Sequence, residues 1–149
     1  MKAGKFCNRE VITSSRDTSI EEISKLMRKN HVGDIVIVDT RDGQPVPVGI
    51  ITDRDIVMHV IAEGIDYHPI IAEDIMTLEM QVVNEDSSIW ELHRLMREKG
   101  VRRVPVVNED EVLVGIISID DLLEIISREL SDLVLAINRG QIQEKDLHR

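Results

Sequence analysis

A chain of 149 residues, 42% of them hydrophobic, suits one compact domain or two small fused halves and excludes a disordered one. Its 28 acidic and 18 basic residues give a formal net charge of −10, a balance that repels nucleic-acid phosphates and anionic lipid. Phe6, Tyr67 and Trp90 are the only aromatics, too few for a platform on which bases stack.

In chain order, the N-terminus MKAGKFCNRE lacks the apolar segment of a secretory signal, and no apolar run approaches the ~20 residues of a membrane helix. The one cysteine, Cys7, has no internal partner, so a reducing cytoplasm is expected, with Cys7 as a small buried apolar residue. A β-like stretch, VITSS (11–15), comes first. A helix follows Thr18, with Glu21 in its first turns and apolar residues at 20, 23, 26 and 27. Two strands, DIVIVD and PVGIIT, flank the turn-bearing TRDGQPVP, and their dense Val/Ile runs suit strands covered on both faces. A closing helix, DRDIVMHVIAEG, and a linker, GIDYHPIIAE (64–73), complete the first half.

The second half repeats this layout. MQVVN (80–84) precedes a helix after Ser87 with Glu91 and apolar residues at 89, 92, 95 and 96; RVPVVN, VLVGIIS and the helix IDDLLEIISREL follow, then a helical tail over 131–149. Ile20 falls on Ile89, Met27 on Met96 and Val38 on Val107, an offset of 69, which becomes 66 at Gly49 and Gly115 because the first hairpin is three residues longer. The expected fold is therefore α/β (α+β by some schemes): a β-α-β-β-α unit over 5–63 and again over 74–130.

Both hairpins end in a glycine-led apolar run followed by a hydroxyl and a carboxylate three apart, Thr52 with Asp55 and Ser118 with Asp121. Spacing alone reads as a helix cap, with an acid in the first turn complementing the helix dipole. A strand running into a helix start also presents free N–H groups for an anion, and a carboxylate can accept both hydroxyls of a ribose. Either role, or both, fits the spacing.

The ordered set, G-h-h-[TS]-x-x-D ending each copy (h being apolar), DIMT at 74–77, RRVPVV at 102–107 and TSIEE at 18–22, resembles the CBS family, named after cystathionine β-synthase. The resemblance covers roughly residues 5–130. It implies two copies packed about a pseudo-twofold axis, modules that pair into a disc, and adenosine-containing ligands (AMP, ADP, ATP, NAD or S-adenosylmethionine) in clefts between the copies. By that resemblance Thr52 and Ser118 face phosphate, with Arg54, Arg102 and Arg103 as charge partners, and Asp55 and Asp121 face ribose. The adenine would lie among Ile12, Thr13, Val32, Gly33, Asp34, Gln81, Val82 and Val101, of which the apolar ones also read as plain core. Arg54 is answered in the second copy by Ile119 beside Asp120, so the first cleft should hold phosphate better than the second.

The closing helices carry more than one apolar stripe, Ile56, Val57, Met58, Val60 and Ile61 in one and Leu122, Leu123, Ile125, Ile126 and Leu130 in the other; Trp90 also lies off its helix's stripe. A homodimer through these helices is expected. No His or Cys spacing of a metal site, glycine-rich phosphate loop or GxSxG elbow occurs, so neither catalysis nor a required cofactor or metal is expected. The functional expectation is a regulatory nucleotide sensor signalling to an unknown client protein, with no direct nucleic-acid or membrane partner. The alternative is a ligand-free dimerisation and docking scaffold.

Overall fold

The structure, a computed structural model, describes residues 1–77 and 79–148; Arg149, the last residue of the expected tail, lies outside the described residues. In chain order its elements are α1 (Ala3–Phe6), β1 (Thr13–Ser14), α2 (Ile20–Asn30), β2 (Asp34–Arg41) and β3 (Gln44–Thr52). Then come α3 (Asp53–Ile56) with a π-helical continuation Val57–Ile61, α4 (Ala72–Ile75), β4 (Val83–Asn84) and α5 (Ile89–Lys99). β5 (Arg103–Val107), β6 (Leu113–Ser118) and α6 (Ile119–Leu147) end the chain. The β-α-β-β-α unit occurs twice, as expected. Each copy holds a three-stranded sheet, β1-β2-β3 or β4-β5-β6, whose first pair is parallel and second antiparallel.

Local chemistry accounts for the elements. Ser19 Oγ accepts from Glu22 N and Ser88 Oγ from Glu91 N, each at 3.2 Å, so both long helices are capped one residue after the Thr18 and Ser87 read from sequence. Their buried stripes correspond, Ile20, Ile23 and Met27 in α2 and Ile89, Leu92 and Met96 in α5. Both end in a left-handed cap, His31 at φ 54° and Gly100 at φ 64°. The first hairpin turns on Asp42 and Gly43, both at positive φ, with Arg41 opposite Gln44, so its strands run further than their apolar cores suggest.

The two halves are not packed as they are written. α1 belongs to the second copy: Ala3 N donates to Ser87 O and Gly4 N to Glu85 O, both at 2.8 Å, and Ala3 is fully buried in a core with Val83, Leu92, Val104 and Ile117. α4 belongs to the first: Ala72 N donates to Thr18 O at 2.8 Å, and Ala72 and Met76 lie in the core of Ile20, Ile23, Ile35 and Ile51. The crossings are tight. A Cβ on Gly115 would run into Cys7 Sγ and stand 2.9 Å from Asn8 O, and one on Gly49 would stand 2.7 Å from Met76 Sδ. Arg16 secures the α4 crossing with a bidentate pair to Asp39 (2.8 and 3.1 Å) and a third contact to Glu73 (3.2 Å).

The opening strands shrink to Thr13–Ser14 and Val83–Asn84, shorter than the five-residue stretches expected, because the residues before them are occupied in crossing between the halves. The tail continues the closing helix without a break, so α6 has 29 residues and leaves Leu130, Leu133, Val134, Leu135 and Ile137 exposed. Among the described residues no helix is long and apolar enough to cross a membrane.

Two glycines give opposite expectations in denaturant titrations. Gly115→Ala should destabilise by about 1–3 kcal/mol through overpacking against backbone. Gly140→Ala, within α6 where a Cβ meets nothing within 4 Å, should stabilise by roughly 0.5–1 kcal/mol.

Candidate functional site

The two hydroxyl–carboxylate pairs sit where β3 and β6 turn into helices, with Thr52 and Ser118 in nearly identical extended conformations. In each, the hydroxyl accepts from the carboxylate residue's N–H (3.1 Å from Asp55, 3.2 Å from Asp121). The carboxylate Oδ2 in turn accepts from the hydroxyl residue's N–H, at 2.9 and 2.8 Å. Ser118 Oγ also lies 2.9 Å from Asp121 Oδ2 and donates to it, whereas the Thr52 hydroxyl donates to no acceptor among the described residues. Free N–H groups at these starts were expected, and α3 corrects that. Asp53 N donates to Gly33 O (2.9 Å), Arg54 N to Asp53 Oδ1 (2.8 Å), and Asp55 N to Thr52. The equivalent first N–H of α6, Ile119 N, donates to Arg102 O at 2.8 Å. An anion here is met by side chains and the Thr52 hydroxyl more than by backbone.

Each pair faces a cleft built across the copies. Thr52, Arg54 and Asp55 share a cleft of about 470 Å³ with Gln81, Val101, Arg102 and Arg103 of the second copy. Ser118 and Asp121 share a smaller one of about 200 Å³ with Ile12, Val32 and Asp34 of the first copy, and with Arg103. Three predicted residues line neither cleft: Thr13 is exposed, Val82 is 41% exposed, and Gly33 serves through its carbonyl. Thr13 and Val82 are equivalent by the 69-residue offset. Alternation along an extended chain turns both outward when Ile12 and Gln81 turn inward.

Family models match the CBS domain twice, over residues 3–62 and 72–128. The chain belongs to the CBS domain family. An uncharacterized protein of Methanopyrus kandleri is 38% identical over 125 residues, which are 84% of this chain and 62% of that one, so the match spans under two thirds of the relative. Among solved structures, the Pyrobaculum aerophilum CBS domain protein PAE2072, complexed with AMP, is 28% identical at TM-score 0.71, covering 82% of this chain and 90% of that one. The CBS domain pair of protein MJ0100, complexed with 5′-methylthioadenosine and S-adenosyl-L-methionine, is 25% identical at TM-score 0.73, covering 87% and 98%.

Within this CBS pair the clefts differ in charge. The Thr52 cleft sets Arg54, Arg102 and Arg103 against Asp53, Asp55 and Glu79. The Ser118 cleft sets Arg103 alone against Glu10, Asp34 and Asp121. Sequence reasoning missed Asn8, Glu10 and Val11 in one cleft and Thr77, Glu79 and Met80 in the other. The signal was present, since these are the same three positions 69 residues apart. Among the described residues no cluster of three His, Cys, Asp or Glu could hold a metal.

Asp34 has a confined carboxylate, its side chain 16% exposed with Arg103 Nε 3.0 Å from Oδ1. Burial pushes its carboxyl above the ordinary 3.8, Arg103 draws it back, and Asp53 pushes it up again. A raised folded-state value means stability that is present below 3.8 and lost as pH rises through the raised value. Melting temperature followed upward from pH 3.8 should fall less for Asp34→Asn than for the parent. For Arg103→Ala the fall should extend to higher pH.

Proposed function

We propose that this CBS pair is a regulatory sensor of adenosine-containing ligands that signals to a client protein by a change in packing, with no catalysis of its own and with the cytoplasm as its compartment. One observation carries the reading. The repeated hydroxyl–carboxylate pair meets, across the module, apolar side chains of the other copy, Met80 and Val101 in the larger cleft and Val11, Ile12 and Val32 in the smaller, so each cleft offers polar and apolar groups to a nucleoside. In the larger cleft Thr52 and the three arginines suit phosphate. Asp55 caps its helix through Oδ2 alone, so Oδ1 is left to accept from a ribose diol. Val101 and Gln81 line the same cleft and suit the base. The AMP complex of PAE2072 and the methylthioadenosine and S-adenosylmethionine complexes of MJ0100 support the ligand class.

A thermal-shift screen with AMP, ADP, ATP, NAD and S-adenosylmethionine tests this. A ligand at 100 times its dissociation constant should add about 2.7 kcal/mol of stability. The AMP response should vanish in Asp55→Ala and persist in Asp121→Ala. No shift with any ligand would favour the scaffold reading, and the opposite pattern in the two variants would reverse the ranking of the clefts.

The acting unit is a homodimer through the closing helices. Leu123, Ile126, Leu130, Leu133 and Ile137 recur at alternating steps of three and four along α6, the seam of a paired helix, and four of them are about 60% exposed. Val57, Met58, Ile61 and Trp90 are further exposed apolar residues on the module. Light scattering should give twice the chain mass for the parent, and the chain mass for Leu130→Glu combined with Leu133→Glu, both clear of the buried Leu122 and Ile125. An unchanged mass in the double variant would place the contact elsewhere.

A further inference from the structure

Asp34 and Arg103 are the same position in the two copies, 69 residues apart. Each opens the middle strand of its sheet, and each pairs across the hairpin with its own copy's hydroxyl residue, Asp34 with Thr52 and Arg103 with Ser118. In a module repeated without change these side chains would carry like charges and repel where the copies meet. Here they have opposite charge and form an ion pair across the copies, Nε to Oδ1 at 3.0 Å.

The pair stands between the clefts. Arg103 lines both, whereas Asp34 faces the Ser118 cleft. A guanidinium carries five donors in a planar fork. Nε makes the nearest approach to Asp34, and the guanidinium donates to no other side chain among the described residues. A phosphate in the Thr52 cleft is a dianion within reach of that fork, and drawing Arg103 towards it leaves Asp34 without its counter-charge. Among the described residues, the Ser118 cleft then faces its ligand with Glu10, Asp34 and Asp121 and no cation.

We propose that the Asp34–Arg103 pair couples the two clefts with opposite sign for ligands of opposite charge. A phosphate-bearing nucleotide in the Thr52 cleft strengthens binding of a cationic adenosine compound in the Ser118 cleft and weakens binding of a second phosphate there. The inference rests on the adenosine-sensing reading above and adds to it which cleft takes which charge and how each reports on the other. Because coupling of equilibrium affinities is reciprocal, the cationic ligand strengthens the nucleotide by the same factor.

Calorimetric titration of the full chain with S-adenosylmethionine, whose sulfonium and amine outweigh its carboxylate, tests this with and without saturating AMP. In the parent, AMP should tighten S-adenosylmethionine about tenfold, within the ~5–150-fold usual for coupled sites. In Asp34→Asn, and in Arg103→Gln at AMP levels raised to saturation, the factor should fall below about twofold. Melting temperatures confirm that each variant is folded, and the two variants act on different partners of the pair. An S-adenosylmethionine affinity that AMP does not raise in the parent overturns the coupling while leaving nucleotide sensing intact, as does tenfold coupling that survives in both variants. A parent that binds neither compound overturns sensing itself, and the coupling with it.

Discussion

Everything about the clefts follows from where the chain is obliged to cross. α1 completes the second core and must return to the first sheet at Thr13, so residues 8–12 are drawn along the groove between the halves. They leave one edge at Asn8, bridged to Ile116, and join the other where Val36 N donates to Ile12 O at 3.1 Å. α4 repeats the manoeuvre in the opposite sense, with Thr77 N donating to Ile50 O at 3.2 Å before the chain reaches β4. Each traverse forms one wall of a cleft, and a hydroxyl–carboxylate corner forms the facing wall. The glycines at the crossings hold this arrangement in place: with any larger residue at Gly115 the traverse could not lie flat, and the cleft wall would lift with it.

How much of this the residues disclose in advance depends on how local the cause is. Helix stripes, caps and the two hairpins are set by neighbours in sequence, so the offset between copies was enough to lay out the architecture and to find Thr52, Asp55, Ser118 and Asp121. What stayed hidden is long-range. Ala3 is an unremarkable residue until it meets Ser87, and nothing near Asp34 announces Arg103. The opening strands were misjudged in length for the same reason: their apolar residues serve a cleft wall more than a ladder. Thr13 and Val82 were misplaced by one step of alternation, which a two-residue strand is too short to display. Closer use of the repeat would have recovered Glu10 and Glu79, which lie at equal offsets and face equivalent clefts.

The copies share a scaffold and diverge in what they attach to it. The first closes with one α-turn that widens into a π-turn, Ala62 N reaching back to Val57 O at 2.8 Å. The second closes with 29 unbroken residues. Charge diverges as well, three arginines lining one cleft and one the other. A symmetric framework thus carries two clefts of unequal charge and, at one end, a long helix.

The exchange of α1 and α4 also bears on how such a chain could have arisen. A half-chain ending near Gly64 would carry Ala3, which plugs the other half, and would lack Ala72 and Met76, which plug its own. Such a fragment has an unfilled core and a segment that fits a core of the same design, and so is built to trade segments with a twin. The fused protein turns that swap into an intramolecular reaction, in which the partner segment is always present at the effective concentration set by a short linker.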